Sequence, residues 1–304
     1  MALPPGAGAA DGDRPGATAE SVNPNRFGGK HEDPAYGAYQ RGYYKTAFDL
    51  ALPLAEKGDK AAQVLVAEIL ARGLGRKRDE AAAAKWYQAA AEQDLPEAQF
   101  QYALLLIDGR FVKRDKQAAF ALMEAAADAG NRFAQFNYAQ MLVERDPGQK
   151  GISAAFPYFE KAAKADLPDA QYAMAQLLTS GAGGRPVDEP GARQWLQRAA
   201  QNNFDTAQLD LGTWMINGRG GPRDEKGGFA WLKRAAEGGN VAAQNRLAKL
   251  YMQGIGTEPD AIFAAAWYIL AHRAGLADPM MDDFMNGLTD DEVKLATGRA
   301  NKLR

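Results

Sequence analysis

Residues 207–237, AQLDLGTWMINGRGGPRDEKGGFAWLKRAAE, hold one complete copy of a unit that recurs along most of the chain. The copy opens on Ala-Gln, and the same dipeptide places glutamines at 63, 99, 135, 171, 208 and 244, in steps of 36, 36, 36, 37 and 36. A fixed period in this range marks stacked helical hairpins, each unable to bury its apolar face alone. A second column keeps the same step: Trp86, Leu122, Tyr158, Trp195, Trp231 and Trp267. Four residues after each stands an alanine: Ala90, Ala126, Ala162, Ala199, Ala235 and Ala271. A large side chain with alanine one turn later forms a knob and a slot on one helix face. The register therefore predicts a buried column running through Trp231.

Cap chemistry sets the helix limits. Asp79, Asp115, Asp188, Asp224 and Asp260 precede the second helix of successive copies, and a carboxylate there accepts the unpaired amides of a first turn. Asp59, Asn131 and Asn240, or Pro96 and Pro168 at the first helical position, open the first helix. That helix carries only a small residue at its close-packing position: Ala67, Ala103, Ala139, Ala175, Gly212 and Ala248. It ends at Gly73, Gly109, Gly181, Gly218 or Gly254, the residue that turns left-handed at least cost.

These columns resemble the Sel1-like repeat family, relatives of the tetratricopeptide repeat, over about residues 34–276. The resemblance implies an all-α, right-handed solenoid of about seven hairpins that acts as a scaffold or adaptor and implies no reaction. It also implies that first helices line a concave side. Without cysteine, the chain differs from the family branch in which each hairpin carries a disulfide.

Three segments follow. Residues 1–32 are Gly, Pro, Ala, Asp and Ser with little to bury, and read as a disordered tail. Their opening has neither a basic start nor an apolar core, so it is no intact signal peptide. It reads as the start of a mature exported protein, hence a periplasmic one, with a cytoplasmic chain as the alternative. Residues 33–276 form the array, headed by a shortened hairpin in which Leu50 is in register with Trp86 and Tyr36, Tyr39, Tyr43 and Tyr44 cover the end. Residues 277–304 read as capping helices, with a Thr289–Glu292 capping box and Val293, Leu295 and Ala296 against the last hairpin. Copy three is irregular: Arg145 replaces the terminal glycine, Gly151 the capping aspartate, and Pro157 adjoins the aromatic column.

Chemistry is sparse. A net charge of −2 gives no global field for nucleic acid, and no apolar run is long enough to span a bilayer. There is no thiolate and only two histidines: His31 in the tail, and His272 in a repeat column as a packed or capping residue. No catalytic constellation, metal site or cofactor is expected. The lysines and arginines of the basic loops after the first helices are expected in solvent.

What remains is the surface of the first helices. Three, six and ten residues after each Ala-Gln alanine lies one stripe, and its middle is amide-rich. It nominates Gln101, Asn137, Gln140, Gln176, Asp210, Thr213, Asn217 and Lys249 as partner-binding residues. Amides offer donor and acceptor together, which suits an extended peptide or a glycan. The leading expectation is a non-enzymatic protein-binding scaffold in envelope homeostasis or signalling. The alternatives are a binder of cell-wall glycan or peptidoglycan fragments and, behind it, a wall-acting enzyme. Phe100, Phe136 and Tyr172 are expected to pack between hairpins.

Overall fold

The computed structural model describes residues 33–303, so the expected tail, with its reading as the start of a mature exported protein, and His31 lie outside the described residues. Among the described residues there are sixteen α-helices and no strand. The chain divides into two compact units, 1–147 and 148–304, and each is described in its own frame.

The first unit holds α1 (Pro34–Gln40), α2 (Tyr44–Glu56), α3 (Lys60–Arg72), α4 (Glu80–Ala91), α5 (Pro96–Asp108), α6 (Lys116–Asp128) and α7 (Arg132–Arg145). The second holds α8 (Gln149–Lys164), α9 (Pro168–Ser180), α10 (Glu189–Gln201), α11 (Asp205–Asn217), α12 (Glu225–Glu237), α13 (Val241–Gln253), α14 (Ala261–Arg273), α15 (Pro279–Asn286) and α16 (Asp290–Ala300). Within each unit every helix packs on the next in sequence through α14, and α16 packs on α14. This is the nearest-neighbour stacking of a solenoid.

The caps form as their residue types dictate. Asp59, Asp79, Asp115, Asn131, Asp188, Asp224, Asn240 and Asp260 each accept first-turn amides of the helix they precede. Gly73, Gly109, Gly181, Gly218 and Gly254 close the first helices in the left-handed region. Copy three departs differently from expectation. There α8 starts at Gln149 behind Gly148, with no side-chain cap, and Gly151 is a buried residue inside the helix. Only three residues join α7 to α8, and the division between units falls among them.

The glutamine of Ala-Gln has a structural task that its position alone does not announce. Its Nε2 donates to a carbonyl in the last turn of the preceding second helix: Gln63 to Ala55 (3.2 Å), Gln135 to Ala127 (3.1 Å), Gln171 to Ala163 (3.2 Å), Gln208 to Ala200 (3.0 Å) and Gln244 to Ala236 (3.3 Å). Gln99 instead donates to Asp94 Oδ1. The other end of the amide can reach forward, since Gln63 Oε1 accepts from Gln93 and Gln171 Oε1 from Asn202. Five of the six glutamines are buried, which these bonds allow.

The small-residue columns are as expected. All six alanines from Ala90 to Ala271 are fully buried. At Gly212 and Gly228, α11 and α12 approach so closely that a Cβ on Gly228 would lie 2.6 Å from the Gly212 carbonyl oxygen. The large column is a correction. Trp86, Leu122, Tyr158, Trp195 and Trp231 are only half-buried, and Trp267 alone is enclosed, at 1% exposure. The enclosed column is one residue later: Tyr87, Met123, Phe159, Leu196, Leu232 and Tyr268, none above 4%. One residue turns an α-helix by about 100°, which carries the tryptophans from the core face to its flank. There Arg198 and Arg234 stand over Trp195 and Trp231 at 5.0 and 5.6 Å.

Three smaller expectations also shift. Loop arginines are not simply solvated: Arg76 lies 3.3 Å over Phe48, Arg185 lies 3.5 Å over Phe156, and Arg78, Arg219 and Arg223 pair with Glu80, Glu189 and Glu225. His272 is exposed at the edge of Tyr268 rather than packed. Leu295 is 64% exposed, because α16 presents Ala296 and Ala300 to α14. At the first hairpin Tyr36 and Tyr39 are buried while Tyr43, Leu50 and Leu54 face outward.

Two measurements check this core. Leu232→Ala should lower unfolding free energy by about 2–5 kcal/mol, and Trp231→Ala by less despite the larger side chain, in urea denaturation. A greater loss at Trp231 would place the tryptophans back in the core. Amide exchange over 145–152 should outpace the matching stretches of copies two and four, and uniform protection across the three copies would contradict the irregular hairpin.

Candidate functional site

The nominated stripe lies on the first helices, whose small-residue side is used up by packing. In the first unit the stripe is partly buried. Leu65 is enclosed, and Glu68 is held by the Tyr87 hydroxyl (3.0 Å) and Arg72 (3.1 Å), so α3 contributes little but Arg72. Gln101 is half-buried and donates to Glu97 Oε1 at 3.2 Å. Asn137 donates to the Phe133 carbonyl at 2.8 Å, and Gln140 beside it is half-buried. Three nominated residues thus share the α5–α7 face, two with their amide N–H groups turned onto their own helices. Phe100 and Phe136 are buried, and Phe100 stacks on Phe133 across consecutive hairpins, as expected of packing residues.

In the second unit Ala173 is enclosed, and the stripe runs from Gln176 on α9 through Asp210, Thr213 and Asn217 on α11 to Arg246 and Lys249 on α13. Thr213 hydrogen-bonds back to the Leu209 carbonyl (2.9 Å), while Asn217 is exposed. Asp210 is the chemically distinctive member. It is half-buried and accepts a 2.8 Å hydrogen bond from the hydroxyl of Tyr172, on the preceding hairpin. Burial raises the Asp210 pKa against the opposing pull of that hydrogen bond and of Arg219. Burial first, then the Asp210 charge, pushes the Tyr172 phenol up to about 12, while a hydrogen bond from Gln176 opposes the shift.

Lys249 is less available than its register suggests. It forms an ion pair with Asp278, which also accepts from Asn245 at 2.8 Å and caps α15. The bond from Lys249 is the largest influence holding the Asp278 carboxyl below its ordinary pKa. This lysine fastens α15 to α13. Sequence spacing could place it on the stripe but could not foretell a partner 29 residues later, from outside the repeat.

The arrangement offers hydrogen-bonding edges and flanking charges. Among the described residues no group of three or more His, Asp or Glu side chains is placed to hold a metal ion. Nor is any helix among them long and apolar enough to cross a membrane. The molecule is of the helical-repeat class, an array of stacked helical hairpins.

The chain belongs to the Sel1 repeat family, whose model matches residues 60–95, 96–131, 132–167, 168–204, 206–240 and 241–276. Repeats of this family generally mediate protein–protein interaction, and their fold is typically a non-catalytic scaffold. The chain is similar to a Sel1 repeat protein from Oxalobacter formigenes, with 29% identity over 81% of this chain and 71% of that one, TM-score 0.66. It is also similar to c5321, a protective antigen of uropathogenic Escherichia coli strains, with 25% identity over 89% of this chain and 67% of that one, TM-score 0.57. No curated protein matched the chain.

Asp210→Asn keeps an acceptor for Tyr172 and removes the buried charge. Because the folded-state pKa of Asp210 is raised, its contribution favours folding below the ordinary 3.8 and is lost as pH rises through the folded value. The variant should therefore melt at or above the parent temperature near neutral pH. The gap should close below 3.8, where both proteins are uncharged at this site. A lower melting temperature at neutral pH would mean that the charge has a stabilising partner.

Proposed function

We propose that this chain is a non-enzymatic adaptor of the bacterial cell envelope that holds another protein against its first-helix face. The observation that carries this reading is the Gln176–Tyr172–Asp210 edge with Thr213 and Asn217. Side chains from two successive hairpins converge there. An extended segment lying across successive first helices meets a new set of donors and acceptors at every hairpin, which gives register without enclosure. Gln101, Asn137 and Gln140 form the corresponding contact set of the first unit, with Lys249 at most a flanking charge. The envelope setting is supported by likeness to a relative described as a protective antigen. Glycan binding draws less support, because Gln101, Asn137 and Thr213 spend donors within their own helices.

The test is photo-cross-linking in intact bacterial cells, with a photoreactive amino acid at Gln176 or Asn217 and fractionation before recovery. One envelope protein should be captured at both positions and lost when Asp210 and Thr213 are both changed to Arg. Capture of wall fragments alone would overturn the protein-partner reading. Capture of cytosolic proteins alone would overturn the compartment.

A further inference from the structure

In hairpins one, four, five and six, the loop between the two helices lies on the start of the second helix of the preceding hairpin. The contact is close enough to need glycine. A Cβ on Gly75 would lie 3.1 Å from Tyr44 Cβ, on Gly183 3.3 Å from the Ser153 amide, on Gly220 2.5 Å from the Glu189 carbonyl, and on Gly256 2.3 Å from that of Glu225. In the same column copy two has Phe111 and copy three has Pro147, and Gly148 beside Pro147 has nothing within 4 Å of where a Cβ would stand. With α7 running on to Arg145, that residue itself lies 4.3 Å over Phe120. The equivalent arginines, Arg76 and Arg185, come from the loops. The start of α6 is left with a pocket of about 480 Å³.

Its floor is apolar, made by Ile107, Phe120 and Met141, and its rim is cationic, with Arg114, Lys116 and Arg145. The charge has a specific origin. Five residues after the terminal glycine, copies one and five carry Arg78 and Arg223, each paired with the glutamate that opens the next helix, Glu80 or Glu225. Copy two keeps the arginine, as Arg114, but opens its helix with Lys116. Two cations thus stand where an ion pair stands elsewhere. Neither makes a hydrogen bond or ion pair among the described residues, and the Arg145 guanidinium, laid on Phe120, keeps its N–H edges free. Glu144 at the rim offsets one of these three charges.

We propose that this pocket binds an acidic peptide segment of a partner protein through one apolar side chain on the floor and flanking carboxylates on the rim. A carboxylate restores the ion pair that Lys116 has removed, and Arg145 presents a planar fork suited to bidentate contact. The apolar anchor displaces water from Ile107, Phe120 and Met141. The site meets the first-helix stripe only at Glu144 on its rim and rests on the reading of the chain as a protein-binding array.

The test uses the full chain and fluorescence anisotropy with a labelled acidic octapeptide carrying Leu-Phe at its centre. Two controls replace Leu-Phe by Gly-Gly, or the acids by lysines. The acidic Leu-Phe peptide should bind and both controls should bind at least several-fold more weakly. Affinity should fall as salt is raised, and Arg114→Glu with Lys116→Glu should weaken it on the order of tenfold or more. Both positions are exposed, so an unchanged melting temperature should accompany the loss. Phe120→Ala should weaken binding independently of salt. Equal binding of the acidic and lysine peptides, or no effect of the double reversal, would overturn the proposal. Cellular capture at Gln176 without binding of the acidic peptide would overturn this pocket and leave the adaptor reading standing.

Discussion

The hydrogen bond that five of the six Ala-Gln glutamines make to the end of the preceding helix is the constraint on which the stacking depends. A helix that ends inside a packed array leaves carbonyls with an unused lone pair where water has little access. At Ala55 and Ala127 one lone pair takes a turn amide, from Gly58 and Gly130, and the glutamine takes the other. The bond fixes how far each hairpin can slide over its predecessor. The alanine columns then close the gap, since only side chains of that size admit helices this near to one another. Burial of the glutamine would cost free energy were it unpaired, so the same bond that orients the stack also permits its core to be dry.

Much of this was legible in the residues. Capping aspartates, left-handed glycines and small-residue columns act through local backbone geometry, which a sequence states directly. The tryptophan column was misread by one position because the eye follows the largest residue. The residue enclosed is instead the one facing both neighbouring helices, and in copies two to five that is Met123, Phe159, Leu196 or Leu232. The loop arginines were misread because their partners, Phe48 and Phe156, lie a full hairpin earlier. Lys249 was misread because Asp278 lies outside the repeat.

The stripe of the first helices illustrates the same limit at the functional level. Register alone treats its positions as equivalent, yet Leu65, Glu68 and Ala173 are enclosed while Asn217 is open. What singles out the α9–α11 edge is a chemical coincidence, a tyrosine on one hairpin meeting a half-buried aspartate on the next. Copy three singles out another place by omission. Losing a glycine loop costs that hairpin its tight closure and uncovers the start of α6, where a lysine has replaced the usual acid.

The glutamine bond also bears on how such a chain can change its length. Donor and acceptor sit eight residues apart, on either side of the junction between hairpins. A tandem duplication of one period therefore imports a complete junction, with its own amide and its own carbonyl. An in-frame deletion of one period removes both together. Insertions of any other size between them would strand a carbonyl on one side and a buried amide on the other. Repeat number is thus open to change in whole hairpins, while the eight-residue junction between hairpins is held in length by one side chain.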